Sequence, residues 1–147
     1  MTDNKSSTTW FCLIPAENLR IAKRTRVWGV PDSPKVRGRV KLIKPGDLLY
    51  FYVIHPTKAI SARSIAESSV FVETEKAPWS DRFYPFRIRL GPVKDLKRPI
   101  PFSSFVGKIS RIRNRFGLFG MTLIPLTKDD ERLISQLERT SQIDQAI

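Results

Sequence analysis

The stretch NLRIAKRTRVWGVP, residues 18–31, is the part of the chain that the remainder reads as supporting. The run from Ala16 to Arg24 is rich in helix formers and predicts a helix with Asn18 near its first turn. That helix ends in a basic cluster, Lys23, Arg24 and Arg26. Then follows Val27-Trp28-Gly29-Val30-Pro31, a large indole beside a glycine and shortly before a proline. Gly29 has no side chain, so a flat ligand can approach the backbone there, and Pro31 stiffens the exit. Trp28 has two readings: a stacking platform beside open backbone groups, or a core residue, since large aromatics are mostly buried.

Upstream, Trp10 to Ile14 (WFCLI) is a short apolar run and predicts a buried strand, with Pro15 opening the helix where its missing N–H costs nothing. Downstream, Asp32 to Arg39 reads as a polar loop. Lys44-Pro45-Gly46-Asp47 has Pro and Gly at its central positions, which suits a type II turn. It feeds Leu48 to Ile54 (LLYFYVI), a strand buried on both faces. His55 to Lys58 turns the chain, and Arg63 to Thr74 reads as one long or two broken strands. Tyr84 to Leu90 (YPFRIRL) alternates Phe86, Ile88 and Leu90 with Arg87 and Arg89, a half-buried strand with a basic outer face. Pro99 and Pro101 frame a turn before a helical turn or two at Phe102 to Ile109. From Thr127, a candidate N-cap, a helix is expected with Leu133, Ile134 and Leu137 as its apolar stripe. These pieces predict an α+β fold whose five or six short strands curl into a small mixed barrel flanked by helices.

The 147 residues suit one domain, residues 9–147, behind a polar tail over residues 1–8. Lys and Arg number 26 against 14 Asp and Glu, a net charge of +12. Residues 1–63 carry 12 basic and 4 acidic side chains and residues 82–115 carry 10 and 1, so the field is uneven and a polyanion is its natural partner. Arg111, Arg113 and Arg115 are either a solvated face or a phosphate clamp. An anionic membrane surface fits less well, because no basic amphipathic helix stands out. No apolar run approaches a membrane span and no signal peptide is visible; with Cys12 the single cysteine, a cytoplasmic location is expected. One histidine, His55, and one cysteine are too few for a zinc site, and no glycine-rich nucleotide motif occurs. Catalysis, a metal and a cofactor are therefore not expected.

Four local features resemble the EVE domain family of the PUA-like group, which also contains the YTH readers of methylated adenosine. They are WFCLI running into a helix that ends in VWGVP; the KPGDLLYFYV strand; APWSDRFYPFRIRL, with Trp79 ahead of Tyr84-Pro85; and the aromatic FGLFG loop before a proline and a closing helix. The likeness spans about residues 9–140 and matches least between Asp95 and Ile124.

The resemblance implies a non-catalytic domain that binds RNA or DNA and captures one modified base in an aromatic cage. Trp28 and Trp79 stand where that family places cage tryptophans, and Phe83, Tyr84 or Phe116 are candidates for a third wall. Asn18 stands where an Asn or Asp bonds the base edge, with the backbone of Gly29 and of Leu13 or Ile14 completing recognition. Lys23, Arg24, Arg111, Arg113 and Arg115 are the candidate phosphate contacts. The adenine preference of the YTH branch does not transfer, since EVE proteins accept different modified bases. Two rivals remain: a structured-RNA binder with no flipped base, and a nuclease of the related ASCH type.

Overall fold

The computed structural model describes residues 7–31, 33–73, 84–109, 112 and 122–146, the last six of these as backbone. Strand β1 (Thr9–Ile14) leads through Pro15 into helix α1 (Ala16–Thr25), which ends at Arg26 in the left-handed conformation (φ 60°). Strand β2 (Val27–Val30) follows directly. The expected polar loop at Asp32 to Arg39 is instead a short helix, α2 (Pro34–Val40). Ser33 caps it by accepting from the Val36 N–H, and Pro34 occupies its first position, where proline is favoured. Pro34, which reads as loop punctuation, is thus a helix start.

The turn at Lys44–Asp47 closes with the Asp47 N–H donating to the Lys44 carbonyl at 3.0 Å, and Gly46 takes the positive φ (97°) that a type II turn requires. Strands β3 (Leu48–Val53), β4 (Ala59–Ile65) and β5 (Phe71–Val72) come next, then β6 (Phe86–Arg89). Residues 94–101, expected to turn at the prolines, form strand β7 (Lys94–Pro101). It is an edge strand, where proline's missing donor is tolerated. Its register slips, Ile60 facing Ile100 but Ala62 facing Asp95, so its buried residues Leu96 and Ile100 lose the two-residue period that marks a strand. Helix α3 (Phe102–Phe105), strand β8 (Leu123–Leu126) and helix α4 (Lys128–Ala146) complete the described chain. Thr127 and Asp130 exchange side-chain-to-backbone bonds at the start of α4, a reciprocal cap.

A five-stranded mixed sheet, β7-β4-β3-β1-β8, and a three-stranded sheet, β2-β6-β5, make an α+β fold. They meet where Ala66 bridges Leu90 and the Gly91 N–H donates to the Ile65 carbonyl at 2.8 Å. Among the described residues eight strands form two joined sheets, an arrangement compatible with the expected small mixed barrel flanked by helices. The continuous apolar runs of β1 and β3 have a clear cause: each feeds two cores. Trp10, Cys12, Ile14, Leu49, Phe51 and Val53 face the three-stranded sheet, α1 and α2. Phe11, Leu13, Tyr50 and Tyr52 face the side covered by α3 and α4.

The buried carboxylate of Asp47 ties the first core together. It accepts from the Trp10 indole N–H (3.0 Å), the Thr8 N–H (3.0 Å) and the Lys44 N–H (2.9 Å). Three donors satisfy a group that would otherwise be expensive to bury. Arg87, expected on an outer basic face, is buried instead, its Nε donating to the Tyr84 carbonyl at 3.0 Å, while Arg89 is exposed.

Candidate functional site

A pocket of about 220 Å³ opens between the two sheets, at the C-terminal ends of the parallel strands β1 and β3. Its walls include Leu13, Ile14 and Pro15 at the end of β1, Asn18 in the first turn of α1, Trp28 and Gly29 on β2, and Tyr84 just before β6. Pockets for drug-sized ligands run from about 300 Å³ upward, so this one suits a smaller, compact ligand.

Asn18 is 5 % exposed although it lies on a ten-residue helix whose other buried residues are apolar. Its Nδ2 donates to the Tyr84 hydroxyl at 3.2 Å. That bond consumes one of the two amide hydrogens and leaves Oδ1 for another partner. Tyr84 packs on Ile21, so the helix that carries Asn18 also seats the ring that orients it.

Gly29 has its polar groups turned outward by the strand register. β2 pairs only with β6 and is an edge of its sheet. The Leu90 N–H donates to the Arg26 carbonyl at 2.8 Å, which makes the pairs at Trp28–Ile88 and Val30–Phe86 the hydrogen-bonded ones. Val27 and Gly29 therefore direct N–H and C=O away from β6. The Val27 N–H is met by Thr25 Oγ1 at 3.3 Å. Both groups of Gly29 remain without a partner among the described residues, and Gly29 lines the pocket. At the end of β1 the Leu13 N–H donates to the Thr122 carbonyl at 2.8 Å, and among the described residues nothing donates to the Leu13 carbonyl, whereas the Ile14 carbonyl accepts from the Ile54 N–H. Among the described residues the pocket thus offers a carboxamide, a backbone donor and two backbone acceptors, and those residues bring no carboxylate, imidazole, thiol, amine or guanidinium to its walls.

Trp28 answers to both of its sequence readings. It is 2 % exposed, packs edge-to-face on Phe51 (centroids 5.6 Å apart, 78° between planes) and belongs to the core, yet it forms part of the pocket wall. Alternation on β2 sends Trp28 and Val30 into the core and leaves Gly29 facing the other way. Of the candidate third aromatics, Tyr84 is a pocket wall, while Phe83 and Phe116, like the second cage tryptophan Trp79, lie outside the described residues.

Of the basic candidates, Lys23 is paired at the surface with Asp95, its Nζ at 2.7 Å from a carboxylate oxygen. Arg24 is exposed, and Arg111, Arg113 and Arg115 lie outside the described residues. Sequence reasoning missed Thr122, Ile54 and the flanking Pro15 and Pro31 as pocket walls. Thr122 had no local signal, because it arrives through the pairing of β8 with β1.

No known family profile matches the chain. It is similar to a UPF0310 protein of Pyrococcus abyssi, 27 % identical over 143 residues (87 % of this chain, 97 % of that protein), and to one of Pyrococcus horikoshii, 28 % identical over 147 residues (88 % and 98 %). Among solved structures, the Mmi1 YTH domain in complex with RNA superposes with a TM-score of 0.65 at 16 % identity, covering 95 % of this chain and 82 % of that one. A hypothetical protein from Leishmania major superposes at 0.72 and 10 % identity, covering 95 % and 99 %. At these identities the likeness shows the fold, which is that of YTH domains.

Proposed function

We propose that the chain is a non-catalytic nucleic-acid reader that draws a single base out of a strand into this pocket. The observation that carries the reading is the unpaired edge of Gly29 set beside the Asn18 carboxamide in a pocket too small for more than one compact ligand. A base edge is a row of donors and acceptors, and Asn18, Gly29 and Leu13 present the complementary row. A wall that is neutral among the described residues suits an uncharged base. The YTH domain of Mmi1, which shares the fold, has been solved with RNA, and the net charge of +12 supplies the attraction for phosphates.

In this reading Trp28 forms the inner wall against which the base lies, and Trp79 is the second tryptophan of the cage. A stacked base is worth about 1–3 kcal/mol by alanine substitution. A methyl group on the base adds about 0.8 kcal/mol by burial, about fourfold in affinity, and more where the unmethylated base leaves a void. Selection of a modified base therefore rests on fit, at the tens- to hundredsfold scale of one methylene in a shaped pocket.

The test is an amide-resolved NMR titration with methylated and unmethylated nucleosides. Binding shifts the Gly29 N–H and the Asn18 Nδ2 resonances and favours one methylated nucleoside. Shifts confined to basic surface residues, equal for all nucleosides, would leave modification-independent RNA binding in its place.

A further inference from the structure

The pocket accounts for Gly29 but not for a second glycine. Gly38 lies in the middle of α2, exposed, and a Cβ placed there would meet nothing within 4 Å among the described residues. Glycine inside an exposed helix is disfavoured against nearly every other residue, and no positive φ or close packing in the fold asks for it here.

The same helix lies in a one-sided run of charge. From Ser33 to Gly46 the sequence holds Lys35, Arg37, Arg39, Lys41 and Lys44 and no acid. The flanking acids are Asp32, ahead of the cap, and Asp47, whose buried carboxylate is already held by three donors. Val36 and Val40 turn into the core, and Arg39 is fixed by donating to the Leu123 carbonyl at 2.9 Å. Lys35 and Lys41 are exposed, one turn before and one turn after Gly38.

α2 is also placed beside the pocket. Pro31, a pocket wall, leads through residue 32 to the Ser33 cap, and the Arg39–Leu123 bond ties the far end of the helix next to Thr122, another pocket wall. We infer that α2 is the seat of the phosphodiester backbone of a single strand. Lys35 and Lys41 pair with phosphates on either side of the bare helix surface at Gly38, along which the strand runs past the pocket mouth. This rests on the reading of the pocket as a base site, and it adds α2 to the candidate phosphate contacts, of which Lys23 is paired with Asp95.

The experiment measures the salt dependence of binding of a labelled single-stranded oligonucleotide, as RNA and as DNA, beside calorimetric titration with free nucleosides. The variants are the double substitution Lys35→Gln/Lys41→Gln and the single Gly38→Gln, whose side chain favours helix and adds bulk without charge. Circular dichroism and melting verify that each folds. The double variant should lower the slope of log K against log salt by about 1.4, about 0.7 for each lost single-strand contact. Gly38→Gln should weaken the oligonucleotide at least fivefold while melting no lower than the parent, and neither variant should alter nucleoside binding. An unchanged slope, or parental oligonucleotide affinity in Gly38→Gln, overturns the seat, as does failure of both RNA and DNA to bind. If free nucleosides fail to bind the parent while the slope still depends on Lys35 and Lys41, the base pocket falls and the α2 seat stands.

Discussion

Truncating Asn18 separates a binding role from a structural one, because both contributions can be sized from its surroundings. Asn18 and Tyr84 are 5 % and 6 % exposed, and the 3.2 Å bond between them is a neutral one. Such a bond contributes about 0.5–1.5 kcal/mol to folding. Tyr84 keeps a further interaction, so Asn18→Ala should destabilise the fold by only about 1 kcal/mol. The effect on binding should be larger. In the proposed reading the carboxamide offers Oδ1 and one amide hydrogen to the ligand, and their loss would leave a buried base edge unpaired, about 1–3 kcal/mol or about 5- to 150-fold in affinity. Tyr84→Phe keeps the ring and removes only the group that orients the carboxamide, so its affinity loss should stay below about tenfold. Because Tyr84 acts through Asn18, the double variant should bind no worse than Asn18→Ala alone, a departure from additivity expected of contacting residues. Calorimetry with the preferred nucleoside gives the affinities and urea unfolding the stabilities. Additive losses would show that Tyr84 contacts ligand by itself. Unaltered affinity in Asn18→Ala beside a clear stability loss would refute the base-edge role.

Three further outcomes follow from the core. Trp28→Ala should lower stability by about 3–5 kcal/mol, because the ring is a core side chain as well as a pocket wall; Trp28→Phe is therefore the variant for probing stacking, and a loss under 1 kcal/mol on urea unfolding of Trp28→Ala would contradict the packing. Asp47→Ala should cost about 3 kcal/mol or more, since it strands the Trp10 indole N–H and two backbone donors in the interior, whereas parental urea midpoints would show that water replaces the carboxylate. Burial raises the Cys12 thiol well above its ordinary value, so the folded state keeps it protonated while the unfolded chain ionises. The resulting stability is whole below about pH 8.5 and is lost as pH climbs toward the raised folded value; the native protein should resist thiol reagents, and fast labelling without unfolding would contradict this burial.

Much of the architecture was legible because it is written in local chemistry. WFCLI and LLYFYVI are apolar throughout, and the fold uses both faces of each strand. Pro45-Gly46 sits where a type II turn needs a fixed φ and then a positive one, and Thr127 with Asp130 caps α4. The errors occurred where local signals have two meanings. Ser33-Pro34 suits a loop or a helix start, and the Pro99-Ile100-Pro101 run suits a turn or an edge strand. Only the packing of Val36 and Val40 in the core and the pairing of β7 with β4 chose between them.

The sequence by itself determined which groups were available for the site: an early-helix asparagine, an indole beside a glycine, and a strong basic excess. Tertiary structure decided how they are spent. It buried the Trp28 ring while leaving it on the pocket wall, turned the Gly29 amide and carbonyl outward through the register of β2 with β6, brought Tyr84 onto Asn18, and bound Lys23 to Asp95. Each of these depends on a partner far along the chain. Contacts of that kind are set by strand order and register, which a local pattern of residue types does not encode.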